Sequence, residues 1–295
     1  MSGGVGRSWR TVAKHGLMRS FVGQEVGVLA AKHAEWEITR AGLYDLTAGD
    51  GIAPDHTQWI HGCSPGILAN HATHLPIPAV VRLHEIQPAT YDRLLDSLAT
   101  HLPTLGYTKN AADRWLYEAN GAQVELVAIN GSGSDADTSL IRWGDKDAVL
   151  TLNDPNAITE WAMRPTYAQE IRERTWCARS LSTMGCNPAG IKRLDISERL
   201  QWFDLIQAQQ DALPPYRDLL LAAIERDEAQ WAYLICDPGK WRAKTESVVR
   251  TAFSKVGRTV AMSWYRANPD QFEETKRSLF FTQRERRDMQ QGRLL

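Results

Sequence analysis

The stretch Leu43-Tyr-Asp-Leu-Thr-Ala-Gly-Asp-Gly51 is where residue types and spacing most clearly point to chemistry. An apolar run ends in Asp45, and Ala48, Gly49 and Gly51 then make a tight turn. Small side chains let a ligand approach the backbone closely, and glycine reaches dihedrals closed to other residues. A dinucleotide site would want a third small residue and a helix opening at once to receive pyrophosphate. Here Pro54 stands in the third place and a polar loop follows; no GxxxxGK[ST] phosphate loop occurs anywhere. Asp45 and Asp50 make the turn a poor host for a diphosphate.

A cationic ligand bearing an ammonium and a sulfonium suits those two carboxylates better, and the neighbouring runs add to the reading. Glu85 closes the second apolar run, where an acidic residue can hold the two hydroxyls of a ribose. Asn130 closes the third, where a side chain can meet an adenine edge. Singly, Glu85 reads equally as a surface carboxylate and Asn130 as a turn former; their order after successive runs is the signal. The fourth run, Ala148-Val-Leu-Thr-Leu-Asn-Asp-Pro-Asn156, delivers Asp154 and Pro155 to its tip. Its plainer reading is a loop with a helix N-cap. A second Asp-Pro pair, Asp237-Pro238, competes for the same role. Lys240, Trp241, Arg242 and Lys244 beside it combine cations with an aromatic ring, a mix that suits nucleic-acid backbone contact and base stacking. A solvated helix start around a core tryptophan reads the same residues equally well.

Other groupings are weaker. His71 and His74 share a helix face, but no cysteine or carboxylate stands at a metal-ligand spacing, so no metal is expected. Ser64 lacks a GxSxG elbow and reads as part of the loop after the turn. The four cysteines are scattered without a CxxC, which fits reduced thiols and a cytoplasmic protein. No apolar run is long enough to span a membrane, and no secretory leader is visible. The net charge is −1, yet residues from Lys240 onward hold 13 Lys and Arg against 6 acidic residues. Such asymmetry points to an anionic partner or to a solvated helix. Arg284-Glu-Arg-Arg287 belongs to that basic stretch, as a phosphate contact or a solvated tail. Among the 11 tryptophans, Trp161, Trp241 and Trp264 are the candidates for stacking on a base.

The elements that must position these residues alternate between short apolar runs and helical stretches, the pattern of a doubly wound, mainly parallel α/β sheet. Strands are expected at Gly42–Thr47, Ala79–His84, Gln123–Ile129, Ala148–Leu152, Trp231–Cys236 and Thr259–Trp264, with Ser278–Thr282 as a seventh. Helices are expected at Ala89–His101, Thr166–Met184, Ser197–Gln210, Tyr216–Asp227 and Thr245–Lys255. Residues 1–40 read as a helical extension interrupted by Gly16, Gly23 and Gly27, packing on one domain of residues 41–295 whose segment 240–295 is basic. In open α/β sheets the ligand lies beyond the carboxyl ends of the strands. The turn, Glu85, Asn130 and Asp154 all fall there.

Together these residues resemble the class I S-adenosylmethionine-dependent methyltransferases, whose fold is a Rossmann-like sheet. The pattern most resembles the three-Cys-motif partner methyltransferase-like family, in Lys14-His15, the DLTAGDG turn, Gly62-Cys-Ser-Pro-Gly-Ile-Leu-Ala69 and a DP motif after the fourth strand. The resemblance runs from Lys14 to Asn156, about half the chain. It implies S-adenosylmethionine as cofactor, with Asp45, Ala48, Gly49 and Gly51 cradling its amino-acid end, Glu85 on the ribose and Asn130 near the adenine. It also implies that Lys14 and His15 close the site from above on the substrate side. The [DNS]-P-P-[YFW] motif of amino-group methyltransferases resembles Asp154-Pro155-Asn156-Ala157. Asp154 and the Pro155 carbonyl would then orient the acceptor amine. Asn156 replaces the second proline and Ala157 the aromatic, for which Trp161 is a substitute one helical turn on. The implied reaction is N-methylation of an exocyclic amine of a nucleic-acid base, DNA foremost, with a partner protein as a further expectation. The rival expectations are a catalytically degenerate binding module and a methyltransferase acting on protein or a small molecule.

Overall fold

The computed structural model describes residues 9–54, 57–119, 121–133, 146–154, 177–184, 194–226, 229–237 and 242–291. Its frame is a sheet whose central strands are parallel: β1 (Arg40–Asp45), β2 (Ala79–Glu85), β5 (Ala122–Asn130), β6 (Asp147–Asn153) and β7 (Cys177–Met184), in the spatial order β7-β6-β1-β2-β5. Antiparallel strands extend both edges. A hairpin of β3 (Thr108–Ala111) and β4 (Arg114–Ala119) continues from β5. Beyond β7 come β9 (Ala229–Asp237), β8 (Asp218–Arg226) and β10 (Ala261–Trp264), each antiparallel to its neighbour. The chain builds β1, β2 and β5 outward, then returns to the other side of β1 for β6 and β7. The strand order therefore reverses between β1 and β6, the point at which open α/β sheets place their ligands.

Strands sandwiched on both faces need unbroken apolar runs, and Asp147-Ala-Val-Leu-Thr-Leu-Asn153 is buried at every position. Alternate residues feed two cores. Leu43, Val81, Leu150 and Ile235 pack beneath α1 (Trp9–Lys32), α3 (Ser64–Ala72), α4 (Pro88–His101) and α6 (Arg242–Ser254). Val149, Leu219 and Leu234 pack on the other face with α5 (Ile196–Asp211) and α7 (Pro269–Phe280). The short α2 (Trp59–Gly62) and α8 (Gln283–Gln290) complete the described α-helices, and a 3-10 turn spans Leu102–Leu105.

Helix α1 runs unbroken through Gly16, Gly23 and Gly27. It buries Leu17, Met18, Phe21, Val22, Val26 and Leu29 in the main core, so packing outweighs the modest helix cost of three glycines. The same helix sends Glu25 to Arg179 of β7 in a fully buried ion pair at 2.7 Å, with the guanidinium 4.5 Å over the Phe21 ring and also donating to Thr245 of α6. The N-terminal segment is thus locked to the sheet rather than appended to it.

Four expectations are corrected. Tyr216–Asp227 is not a helix: Asp218–Arg226 is β8, because Leu219 to Ala223 are buried between two strands and two helical layers, and that burial overrides their helical propensity. The end of Thr166–Met184 is strand β7; residues 166–176 lie outside the described residues. Ser278–Thr282 is not a seventh strand but the last turn of α7 and its cap, with Phe280 and Phe281 in the core. Trp264 is no stacking platform either, since it is buried and its indole donates to Glu246 at 2.8 Å. Among the described residues no helix is long and apolar enough to cross a membrane.

Candidate active site

Four adjacent strand ends, of β6, β1, β2 and β5, line one edge of the sheet, and they carry Asp154, Asp45, Glu85 and Asn130 in that order. Asp45 is level with Leu83 and Leu152, and Glu85 pairs with Asn130. At ~4.8 Å between strands, the row spans roughly 14 Å.

After Asp45 the chain turns over the end of β2, where the Ala48 amide donates to the His84 carbonyl at 2.8 Å. Gly49 and Gly51 both take φ of +65°, the left-handed region that other residues resist. The Gly51 carbonyl accepts from Trp59 Nε1 at 2.8 Å and from Ser97 Oγ at 2.7 Å, which clamps the turn from α2 and α4. At Gly49 an added Cβ would meet no atom of the described residues within 4 Å. The next described helix starts only at Trp59, so no helix opens on the turn to hold a diphosphate.

Asp45 is the electrostatic centre of the row. Its Oδ1 accepts from the Thr47 amide at 3.1 Å, while the buried Oδ2 has no hydrogen-bonding partner among the described residues. Burial pushes the carboxyl up to about 7, against the Ser64 hydroxyl and the Thr47 amide; the nearby Asp154 charge pushes it further up, and Lys14 pulls it down. Asp154 is held at the β6 end by its amide, which donates to Thr47 Oγ1 at 2.6 Å. Its carboxylate meets the Lys14 ammonium of α1 in an ion pair. His15 stands beside them, and burial together with Lys14 lowers its imidazole to about 4, so it is neutral near pH 7. Glu85 is buried rather than a surface carboxylate, and its Oε1 accepts from the Gln87 amide at 2.8 Å. Asn130 is exposed beside it.

The fold therefore gathers Lys14, His15, Asp45, Ala48, Gly49, Gly51, Glu85, Asn130 and Asp154 along one edge. Pro155, Asn156, Trp161, Lys240 and Trp241 lie outside the described residues. Asp237 is corrected: β9 runs against β7, so Asp237 ends at the opposite edge and cannot compete with Asp154. The basic stretch spends part of its charge internally, with Arg286 on Glu274 and Arg242 on Asp218, while Arg284 stays exposed. Among the described residues no three His, Cys, Asp or Glu gather as metal ligands.

Three residues at this edge are not singled out by the sequence pattern. Ile86, next to Glu85, is one of three strongly exposed large apolar side chains among the described residues, at 54 %. Asn153 and His84 are buried at the ends of β6 and β2, and among the described residues neither the amide atoms of Asn153 nor the ring nitrogens of His84 have a hydrogen-bonding partner. Burial and Arg82 lower His84 to about 4, so it is neutral near pH 7. An orphaned buried polar group costs ~1–3 kcal/mol. Asn153→Leu is expected to recover about 1 kcal/mol, raising Tm by about 2 °C in a calorimetric melt. The variant is expected to lose activity at the same time, because the amide is kept at the site against stability. A lower Tm would mean that the amide serves packing instead.

No family model matches the sequence, and no curated protein matches it. Among solved structures the chain is similar to a protein from Legionella pneumophila, with a TM-score of 0.52 and 10 % identity over 85 % of this chain and 96 % of that one. At that identity the likeness shows a shared fold alone. Two fainter likenesses, from which nothing is drawn, are to proteins provisionally assigned as an rRNA-methylase of Clostridium thermocellum and an O-methyltransferase of Klebsiella pneumoniae. The first has a TM-score of 0.38 at 10 % identity over 71 % of this chain and 96 % of that one. The second has a TM-score of 0.37 at 10 % identity over 76 % and 88 %.

Proposed function

We propose that the chain is an S-adenosylmethionine-dependent methyltransferase acting on an exocyclic amine of a nucleic-acid base. One observation carries the reading: an open glycine turn, clamped from behind, lies between two carboxylates at the point where the strand order reverses. The residues fit the cofactor. Among the described residues nothing stands within 4 Å of a Cβ at Gly49 and the buried Asp45 Oδ2 has no partner, and the acidic lining suits an ammonium and a sulfonium rather than phosphate. Glu85 is placed to accept from ribose hydroxyls, Asn130 to meet an adenine edge, and the exposed Ile86 to cover an adenine face.

When bound, S-adenosylmethionine supplies a methyl group activated by the sulfonium, whose C–S electron pair stays on sulfur as the N–C bond forms. The chain's own work is orientation and electrostatics. Asp154 accepts a hydrogen bond from the acceptor amine, aims its lone pair and takes up the proton that the methylated nitrogen sheds. The neutral His15 adds no charge to compete with it.

Because Asp45 titrates at about 7, a cationic cofactor pairs with its ionised form. Below that pH the proton neutralises it; above, the carboxylate is available. Affinity for S-adenosylmethionine is expected to rise about tenfold between pH 6 and pH 8, with a proton released on binding near pH 7. Calorimetry in buffers of different ionisation enthalpy reads both, and Asp45→Asn should flatten the profile. A wild-type affinity that ignores pH would remove Asp45 from the cofactor.

Transfer of labelled methyl to DNA, RNA and protein tests the substrate class. Label on an exocyclic base amine is the expected result. Label on protein alone would move the acceptor, and cofactor binding without transfer to any of the three would favour a degenerate binding module. On DNA, affinity should fall steeply with salt as counterions are released.

A further inference from the structure

Gly49-Asp50-Gly51 is costly to hold in one shape, since glycine loses more conformational freedom on folding than any other residue. One carbonyl fixes the end of this turn. The two lone pairs of the Gly51 oxygen are met by Trp59 Nε1 of α2 at 2.8 Å and by Ser97 Oγ of α4 at 2.7 Å, and the indole also reaches Ser97 Oγ at 3.1 Å. Both donors stand on firm ground. Leu94 and Leu98 anchor α4 in the main core, and the Trp59 ring is buried there and stacked on His101 with centroids 5.0 Å apart. Because a peptide group is planar, holding the Gly51 carbonyl also aims the Ile52 amide, which donates to Asp50 Oδ1 at 3.1 Å. Packing does not fix the chain that follows. A cavity of about 560 Å³ lies against it, lined among the described residues by Ile52, Ala53, Pro54, Trp59, Arg93 and His101 with others.

We propose that Trp59 and Ser97 are positioning residues for S-adenosylmethionine, setting the Gly49–Gly51 turn in its binding geometry through the Gly51 carbonyl without touching the ligand. The proposal rests on the methyltransferase reading. A turn already ordered in the free chain spares the ligand the cost of ordering it, and the difference is expressed as affinity. Either donor alone keeps the Gly51 carbonyl bonded, so the turn survives the loss of one. Loss of both leaves that carbonyl without its partners between two flexible glycine linkages, and the turn is released. Cofactor affinity is thereby tied to two side chains that lie 8 and 46 residues beyond Gly51 in the sequence.

Trp59→Phe deletes the indole donor and keeps a ring beside His101, while Ser97→Ala deletes the hydroxyl. Both variants and their combination are compared with wild type by calorimetric titration of S-adenosylmethionine, beside a thermal melt. The backbone amide NMR signals of Gly49 to Ile52 are followed in the free chain. Each single variant is expected to weaken binding about fivefold and the two together about 100-fold, with the turn amides shifted or broadened in the same order. Wild-type affinity in the folded variants, while wild type itself binds, overturns this proposal alone. Weaker binding with the turn amides unmoved also overturns it, because a merely structural loss would then act elsewhere in the fold. A wild-type chain that binds no S-adenosylmethionine sinks the functional reading and this proposal together.

Discussion

Gly49→Leu is expected to fold and to bind no S-adenosylmethionine. The backbone at Gly49 has φ of +65°, so any side chain there carries left-handed strain of ~1–2 kcal/mol. That is a tolerable fraction of the ~5–15 kcal/mol by which domains are stable. A Cβ at this position meets no atom of the described residues within 4 Å, so the substitution does not press on the described core. The space over that Cβ is where the cofactor's amino-acid end is proposed to lie. Gly51 has the same φ but would be an uninformative test. A Cβ there would come within 2.9 Å of Leu94 Cδ1, and its carbonyl is the clamp for Trp59 and Ser97. A Gly51 variant would lose binding by losing the turn. Calorimetric titration beside a thermal melt separates the two causes. A folded Gly49→Leu chain with wild-type affinity would take the turn out of the cofactor site.

Asp154→Ala should do the opposite: keep the cofactor and lose the reaction. Misorienting a reacting amine costs on the order of 10²–10³-fold in kcat, because the methyl is already activated and the protein contributes chiefly alignment. Asp154→Asn is expected to fall between, since its amide oxygen still accepts a hydrogen bond but its NH2 group presents donors to the amine. Single-turnover transfer from pre-bound cofactor measures this without interference from binding. Should Asp154→Ala remain active, the orienting group is not Asp237, which lies at the other edge of the sheet. Asn153, buried and without a partner among the described residues, is then the next residue to test.

The site was more legible in the sequence than the edges of the fold were. Asp45, Glu85, Asn130 and Asp154 each end an apolar run, and parallel strands that share a sheet must deliver their last residues to one side. The pairing of Lys14 with Asp154 had no such signal: the family resemblance placed Lys14 near the site, but only the packing of α1 across α3 and α6 brings it to that carboxylate. β8 was misread because Leu219-Leu-Leu-Ala-Ala223 is equally good helix sequence until strands lie on both sides of it. The reversal of β9 was invisible for a related reason. Periodicity marks a strand but not its direction, so Asp237 looked like a second Asp154. Asn153 and His84 escaped notice because a missing hydrogen-bond partner is a property of surroundings, not of residue type.

The most direct test is the position of bound S-adenosylhomocysteine in a crystal of the wild-type chain. The amino-acid end is expected over Gly49 beside Asp45, the ribose hydroxyls on Glu85, the adenine against Ile86, and the sulfur turned toward Asp154. A molecule seated away from the β1, β2 and β6 ends, or a chain that remains empty at saturating ligand, would contradict that placement.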